Sequence, residues 1–219
     1  MRKREGMRVL LICHVPEMAA TMGATASAVR EAFDAACRAH GHTPHFDVIT
    51  RRDHDACVRA LGAVADHLAL PNARAVVYYY GHGDQVRDTS GDEADGMDEA
   101  WTTQGILDDE LSAIFSRIHD SSRLYLFSDS CSSGSMVDAS TNGRPWVAIG
   151  SARDTQDSLA TSEGGAFTVW GLIPALAEVA RASLTPRQLV ERIRAGLVLD
   201  TQTCTLTAGN TRIADEPMF

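Results

Sequence analysis

The sequence predicts an α/β fold with a mostly parallel central sheet and helices on both of its faces. Two observations carry this expectation. Strand and helix signals alternate along the chain, and the strand runs are almost continuously apolar, as strands covered on both sides must be. Length agrees: 219 residues, 44% of them hydrophobic, suit a single α/β domain over residues 1–219 with a sizeable core.

Met7–Cys13 (MRVLLIC) opens the fold as a buried strand. Ala24–Ala39 sets Val29, Phe33, Ala36 and Cys37 on one helical face and stops at Gly41. Phe46–Thr50 is a second strand. Asp53–Leu68 is a second helix, with Cys57, Leu61, Val64, Ala65 and Leu68 along one stripe. Pro71 breaks the chain before the third strand, Ala75–Tyr80. The stretch 81–107 exceeds usual connection lengths and is expected to be irregular, functional or flexible. Asp108–Ile118 reads as a helix, Arg123–Phe127 as the fourth strand and Trp146–Ile149 as the fifth. Phe167–Val179 is an apolar helix interrupted at Pro174. Thr185-Pro186-Arg187-Gln188 starts the last helix with an N-cap, a proline at the first helical position and a glutamine at the third.

Charge and composition exclude several classes. No run approaches the roughly 20 apolar residues of a membrane helix, and MRKREGMRVLLICHV suits a first strand better than a signal peptide. No membrane partner is expected. The five cysteines, Cys13, Cys37, Cys57, Cys131 and Cys204, form no C-x-x-C pair and no even-numbered framework, so reduced thiols in a cytoplasmic compartment are expected. Lys3 is the lone lysine among 20 basic residues, a bias that points to a bacterial source. Net charge is −9, and the segment 84–110 alone holds ten acidic residues against one arginine. That concentration of carboxylates is repulsive unless a cation or basic ligand neutralises it. The basic stripe of a nucleic-acid binder is absent, so no nucleic-acid partner is expected.

Functional sites in such sheets gather outside the carboxyl ends of the strands. Gly81-His82-Gly83 ends the third strand and Asp129-Ser130-Cys131 the fourth, and successive strands of this kind usually pair. His82 and Cys131 are therefore expected to converge although 49 positions separate them. A cysteine nucleophile needs a group that handles protons near neutral pH, and histidine is the usual one. Glycine on both sides of His82 removes bulk where a peptide would approach. Ser132-Ser133-Gly134 forms a small turn able to present backbone N–H groups to an oxyanion. Taken singly, a loop histidine or a buried thiol is more often structural; their joint position favours catalysis. His40-Gly41-His42-Thr43-Pro44-His45 lacks the cysteine or carboxylate set of a zinc site and reads as a loop.

Several motifs now stand in one order: Tyr79-Tyr80-Gly81-His82-Gly83, Gly91–Glu99 (GDEADGMDE), Gly105–Leu111 (GILDDEL), and Asp129-Ser130-Cys131-Ser132-Ser133-Gly134-Ser135. Ala148–Gln156 (AIGSARDTQ), Gly165-Ala166-Phe167-Thr168 and Thr205-Leu206-Thr207 follow. In order and spacing this resembles the metacaspase family of caspase-like cysteine peptidases, in a short prokaryotic-type form, and a His-to-Cys interval near 50 is also known from caspases. The resemblance implies a caspase-like sandwich, with a larger catalytic subregion at 7–139 and a smaller one at 146–219. It implies a His82–Cys131 dyad, with the backbone N–H groups of Gly83 and Cys131 as the oxyanion hole. Asp129 would line a pocket for the substrate's basic side chain, so the expected partner is a peptide or protein with Arg or Lys before the scissile bond. Calcium (Ca2+) is the implied cofactor, held by Asp98, Asp108, Asp109 and Asp138, and oxygen-rich Asp sites suit that hard cation. Asp108 and Asp109 also suit a helix start.

Three positions depart from the family pattern: Ser132 follows the nucleophile where histidine is common, Tyr80 replaces a serine, and Ser27 stands where an acidic pocket residue is often found. Arg144, in the short linker 140–145, is a candidate for self-cleavage, a single-chain active form is the equal alternative, and a monomer is favoured. Two alternatives stand beside the peptidase: a caspase-fold scaffold without turnover, and a metal-independent caspase-like peptidase of different specificity.

Overall fold

A computed structural model describes residues 6–89, 91, 96–137, 143–197 and 202–219. In chain order the elements are β1 (Met7–His14), α1 (Ala19–Ala39), β2 (Pro44–Ile49), α2 (His54–Leu68), β3 (Arg74–Gly81), β4 (Asp84–Arg87), β5 (Met97–Trp101) and β6 (Ile106–Leu107). They continue with α3 (Asp108–Phe115), β7 (Arg123–Asp129), β8 (Trp146–Gly150), β9 (Ala160–Thr161), β10 (Gly164–Gly165), α4 (Ile173–Val179), α5 (Pro186–Gly196) and β11 (Thr207–Ala208). A six-stranded sheet runs β11-β8-β7-β3-β1-β2. Its pairings are parallel except for the last, between β8 and β11. The expected α/β architecture is therefore present.

Two apolar cores lie on the two faces. One gathers Val29, Phe33 and Cys37 of α1 with Leu176 of α4 and Leu189 and Ile193 of α5. The other gathers Leu61 and Val64 of α2 with Leu111 and Phe115 of α3. Alternate residues of β3 divide between them, Tyr78 and Tyr80 to the first and Val77 and Tyr79 to the second, as strand geometry requires. The predicted caps hold the helices in register. The Asp53 carboxylate accepts from the Ala56 N–H at 2.9 Å, and Thr185 and Gln188 close a reciprocal capping box.

The stretch 81–107 differs from the irregular loop expected. Its segments Asp84–Arg87, Met97–Trp101 and Ile106–Leu107 form a three-stranded antiparallel sheet, β4-β5-β6. The pattern hid this because β5 buries acidic residues, Asp98 and Glu99, beside Ala100 and Trp101. Trp101 fastens the small sheet to the main one. Its ring stacks on Tyr79 at 4.3 Å between centroids, and its indole N–H donates to Ser128 Oγ at 2.9 Å. The helix expected at Phe167–Val179 is a π-helical turn over Phe167–Leu172 followed by α4, with Pro174 in the first turn of α4 where its missing N–H does no harm. No helix among the described residues is long and apolar enough to cross a membrane.

Candidate active site

Strands β3 and β7 are parallel neighbours, and the last paired residues are Tyr80 and Asp129. His82 and Cys131 each stand two positions beyond that pair, so the register carries both to the same end of the sheet. The approach is close. A Cβ on Gly83 would lie 2.1 Å from the Cys131 carbonyl oxygen, so the position accepts no side chain. His82 is anchored through its backbone: its N–H donates to Thr103 Oγ1 at 2.9 Å, and its carbonyl accepts from the Tyr79 hydroxyl at 2.7 Å. Its ring Nε2 lies 2.9 Å from Glu17 Oε2.

Cys131 is partly exposed, whereas Cys13, Cys37, Cys57 and Cys204 are buried. Burial pushes the thiols of Cys13, Cys37 and Cys204 up to about 12 and that of Cys57 to about 11, which leaves them inert as nucleophiles. Cys131 Sγ accepts from the Ser158 N–H at 3.3 Å. Burial, then the neighbouring Asp157 carboxylate, hold its thiol above the ordinary value, while the Ser158 N–H pulls the other way. The chain turns sharply here, with Ser132 at φ 47°, a left-handed conformation that is strained for a residue with a side chain. Hydroxyls support the turn. Ser130 N–H donates to Ser151 Oγ at 3.1 Å, Ser151 Oγ–H donates back to the Ser130 carbonyl at 2.9 Å, and Ser132 N–H donates to the Gln156 carbonyl at 3.0 Å.

Asp129 lies beneath this turn, 1% exposed. Its Oδ2 accepts from the Thr168 N–H at 3.1 Å and the Thr168 hydroxyl at 2.6 Å, and its Oδ1 from the Ser158 hydroxyl at 2.9 Å. Because Thr168 gives its proton to Asp129, the Tyr78 hydroxyl 2.6 Å away donates to Thr168 Oγ1. Such a relay strengthens each bond. Burial nevertheless raises the carboxyl to about 6, against the lowering pull of Thr168 and Ser158. A Cβ on Gly165 would meet Asp129 Oδ2 at 2.0 Å, so glycine is required there too.

The acidic group sits between β5 and the start of α3. Asp98, Glu99 and Asp108 are buried. Asp108 Oδ2 accepts from the Glu99 N–H at 3.0 Å and Oδ1 from the Asp109 N–H at 2.8 Å. Burial is the chief cause that lifts the Asp108 carboxyl to about 7, and the charges of Glu99 and Asp98 add to it. Among the described residues, no group of three or more His, Cys, Asp or Glu side chains is arranged as a metal cage. The donor chemistry still fits a hard cation, since buried carboxylates that repel one another favour either a proton or a metal. Asp138 lies outside the described residues, as does most of the linker before Arg144. Ser27 is exposed on α1 and donates to Glu31 at 3.2 Å, so it adds nothing to the surroundings of Asp129. Tyr80 is buried and its hydroxyl donates to Met18 Sδ at 2.9 Å. His40 is engaged with the Val179 carbonyl at 2.7 Å and stacked on Phe219.

Glu17, Asp157 and Ser158 were not expected from the sequence, and Ser151 stood in the Ala148–Gln156 motif without a role. They lie on turns with no periodic pattern and reach the site only through tertiary packing. Thr168 was within a quoted motif, but nothing in the motif assigned it to Asp129.

Residues 45–140, which include His82 and Cys131, match the family model described as "Metacaspase, peptidase C14 domain". Over 77 residues the chain is 42% identical to Metacaspase-1 of Saccharomyces cerevisiae, covering 32% of this chain and 18% of that protein. It is 31% identical over 142 residues to Metacaspase-1 of Candida glabrata, covering 58% and 35%. It is 41% identical over 71 residues to Metacaspase-3 of Arabidopsis thaliana, covering 29% and 19%. The aligned chain thus spans about a fifth to a third of these relatives' lengths. A crystal structure of protein GSU0716 from Geobacter sulfurreducens shares the fold, with a TM-score of 0.68 at 23% identity over 94% of each chain. Over residues 45–140, under half of its length, this chain is therefore similar to the metacaspase, caspase-like peptidases.

Proposed function

We propose that the chain is a cysteine endopeptidase with Cys131 as nucleophile and His82 as its proton-handling partner. The supporting observation is the placement of both residues two positions past the Tyr80–Asp129 pair, with Gly83 packed against the Cys131 carbonyl. In this reading Cys131 Sγ attacks the scissile carbonyl carbon, and the oxyanion is met by the backbone N–H groups of Gly83 and Cys131. His82 protonates the leaving amine, and water then hydrolyses the thioester and returns the thiol. The substrate carries Arg or Lys before the scissile bond, because a desolvated carboxylate at Asp129 pairs strongly with a cation.

Calcium is the second part of the proposal. Asp98, Asp108 and Asp109, with Asp138, would hold it, and its charge would neutralise the acidic group when bound. The chain then has a route from that group to the nucleophile turn, since Glu99 accepts from Ser135, four residues after Cys131, at 2.5 Å. A non-catalytic scaffold is the second reading. It is favoured by the thiol standing above its ordinary value beside Asp157.

The test is turnover of fluorogenic peptides ending in Arg, Lys or Asp, with calcium or with chelator, beside Cys131→Ala. Arg or Lys turnover that needs calcium and vanishes in Cys131→Ala supports the proposal. Turnover surviving Cys131→Ala overturns the dyad. Turnover indifferent to calcium and to Asp108→Ala/Asp109→Ala removes the metal, and no turnover under any condition selects the scaffold.

A further inference from the structure

We propose that Glu17 is the positioning residue of His82, holding the imidazole as its Nε2–H tautomer so that Nδ1 is left as the nitrogen that exchanges protons in the reaction. The proposal rests on the Cys131–His82 reading above. Glu17 reaches the site because β1 is a neighbour of β3, with His14 opposite Gly81 as the last pair. The chain leaving β1 therefore crosses the end of β3 at the level of His82. There it forms a single tight turn, Pro16–Met18, with proline in its first position.

Both ends of that turn are fastened. Met18 N–H donates to the Val15 carbonyl at 3.0 Å, and the Met18 carbonyl accepts from Thr21 Oγ1 at 3.2 Å. Met18 Sδ accepts from the Tyr80 hydroxyl at 2.9 Å. The tyrosine that replaces a family serine thus packs the turn into place, and Glu17 stands beside that anchor. Its Oε2 lies 2.9 Å from His82 Nε2.

The donor inventory decides the direction of this bond. An ionised carboxylate only accepts, so Nε2 must carry the proton, and in a neutral ring Nδ1 is then the bare nitrogen. His82 needs such a partner. Its backbone is held by Thr103 and Tyr79, but its side chain is 54% exposed, which leaves the ring's rotation and tautomer to the Glu17 contact. As an exposed contact it adds little stability. Its consequence lies in orientation, the role a carboxylate plays behind the histidine of other nucleophile–base pairs.

The experiment uses the full chain labelled with 15N, its His82 ring signals identified by their loss in His82→Gln. In alkaline solution, where histidine is neutral, wild type is expected to show the Nε2–H tautomer. Glu17→Ala is expected to lose that preference with no change in thermal midpoint. With an Arg or Lys peptide its kcat falls about tenfold at unchanged KM, a fraction of what acid–base catalysis supplies. Glu17→Gln, whose amide oxygen accepts the same N–H, is expected to retain the tautomer and most of the turnover. An identical His82 tautomer in wild type and Glu17→Ala would overturn the proposal. The ring signals need no turnover, so failure of the peptidase reading, seen as activity surviving Cys131→Ala, is told apart from failure of the Glu17 role.

Discussion

The Ser135 hydroxyl donates to Glu99 Oε2 at 2.5 Å, which joins the turn after Cys131 to a carboxylate buried on β5. The other oxygen of Glu99 accepts from Gln85 Nε2 at 2.9 Å, on the strand that follows Gly83. One buried side chain therefore ties the segments after both His82 and Cys131. Ser135→Ala removes a hydrogen bond to a charged acceptor and is expected to lower stability by about 1.5–3 kcal/mol. Chemical denaturation measures it. A change within error would mean that solvent replaces the serine without loss.

Asp129 predicts how stability depends on pH. Its carboxyl is raised from 3.8 to about 6 in the folded chain, so the folded state holds the proton more tightly than the unfolded state. The stability this contributes is full below about pH 3.8 and is lost as the pH rises through about 6. Asp129→Asn escapes that loss. Relative to wild type it is expected to gain on the order of 2–3 kcal/mol between about pH 4 and about pH 8. On Arg or Lys peptides the same variant is expected to lose turnover. A stability difference that does not change with pH would show the carboxyl to be neutralised by a group not named above.

Gly83→Ala places a methyl 2.1 Å from the Cys131 carbonyl oxygen, a backbone atom that cannot easily yield. Overpacking of this kind costs about 1–3 kcal/mol. The expected outcome is a lower melting temperature together with loss of turnover, because His82 and Cys131 are pushed apart. Wild-type activity in this variant would sink the close approach of the two strand ends.

Asp157 beside the thiol predicts a faster nucleophile when its charge is removed. With Asp157→Asn the Cys131 thiol is expected to fall toward its ordinary value, since the carboxylate opposes ionisation. Alkylation by iodoacetamide at neutral pH should rise with the thiolate fraction. Cys131→Ala supplies the background rate of the four buried thiols. An unchanged rate would place Asp157 outside reach of the thiol.

Much of the fold was legible because burial on both faces writes itself into composition. β1, β3, β7 and β8 are apolar runs and appear where expected, within two residues at each end. The capping box of α5 was visible for a similarly local reason, as four consecutive residues settle it. α1 begins five residues before its expected start because Ala19–Gly23 carries no apolar stripe of its own and becomes helical as an extension of the buried face. β4 and β5 were missed because their pairing is with each other, and β5 hides its strand period behind two buried acids.

The sequence by itself determined that His82 and Cys131 each follow an apolar run, and those runs pair as the parallel neighbours β3 and β7. It also carried the resemblance to metacaspases over residues 45–140 and the concentration of negative charge between residues 84 and 110. Only the tertiary structure decided what surrounds those two side chains. Glu17, 65 positions from His82, Ser158 and Thr168 around Asp129, and the bond from Ser135 to Glu99 belong to turns whose composition carries no periodicity. Their positions depend on how strands and helices pack, and hydrogen-bond geometry is settled within tenths of an ångström that no local pattern encodes.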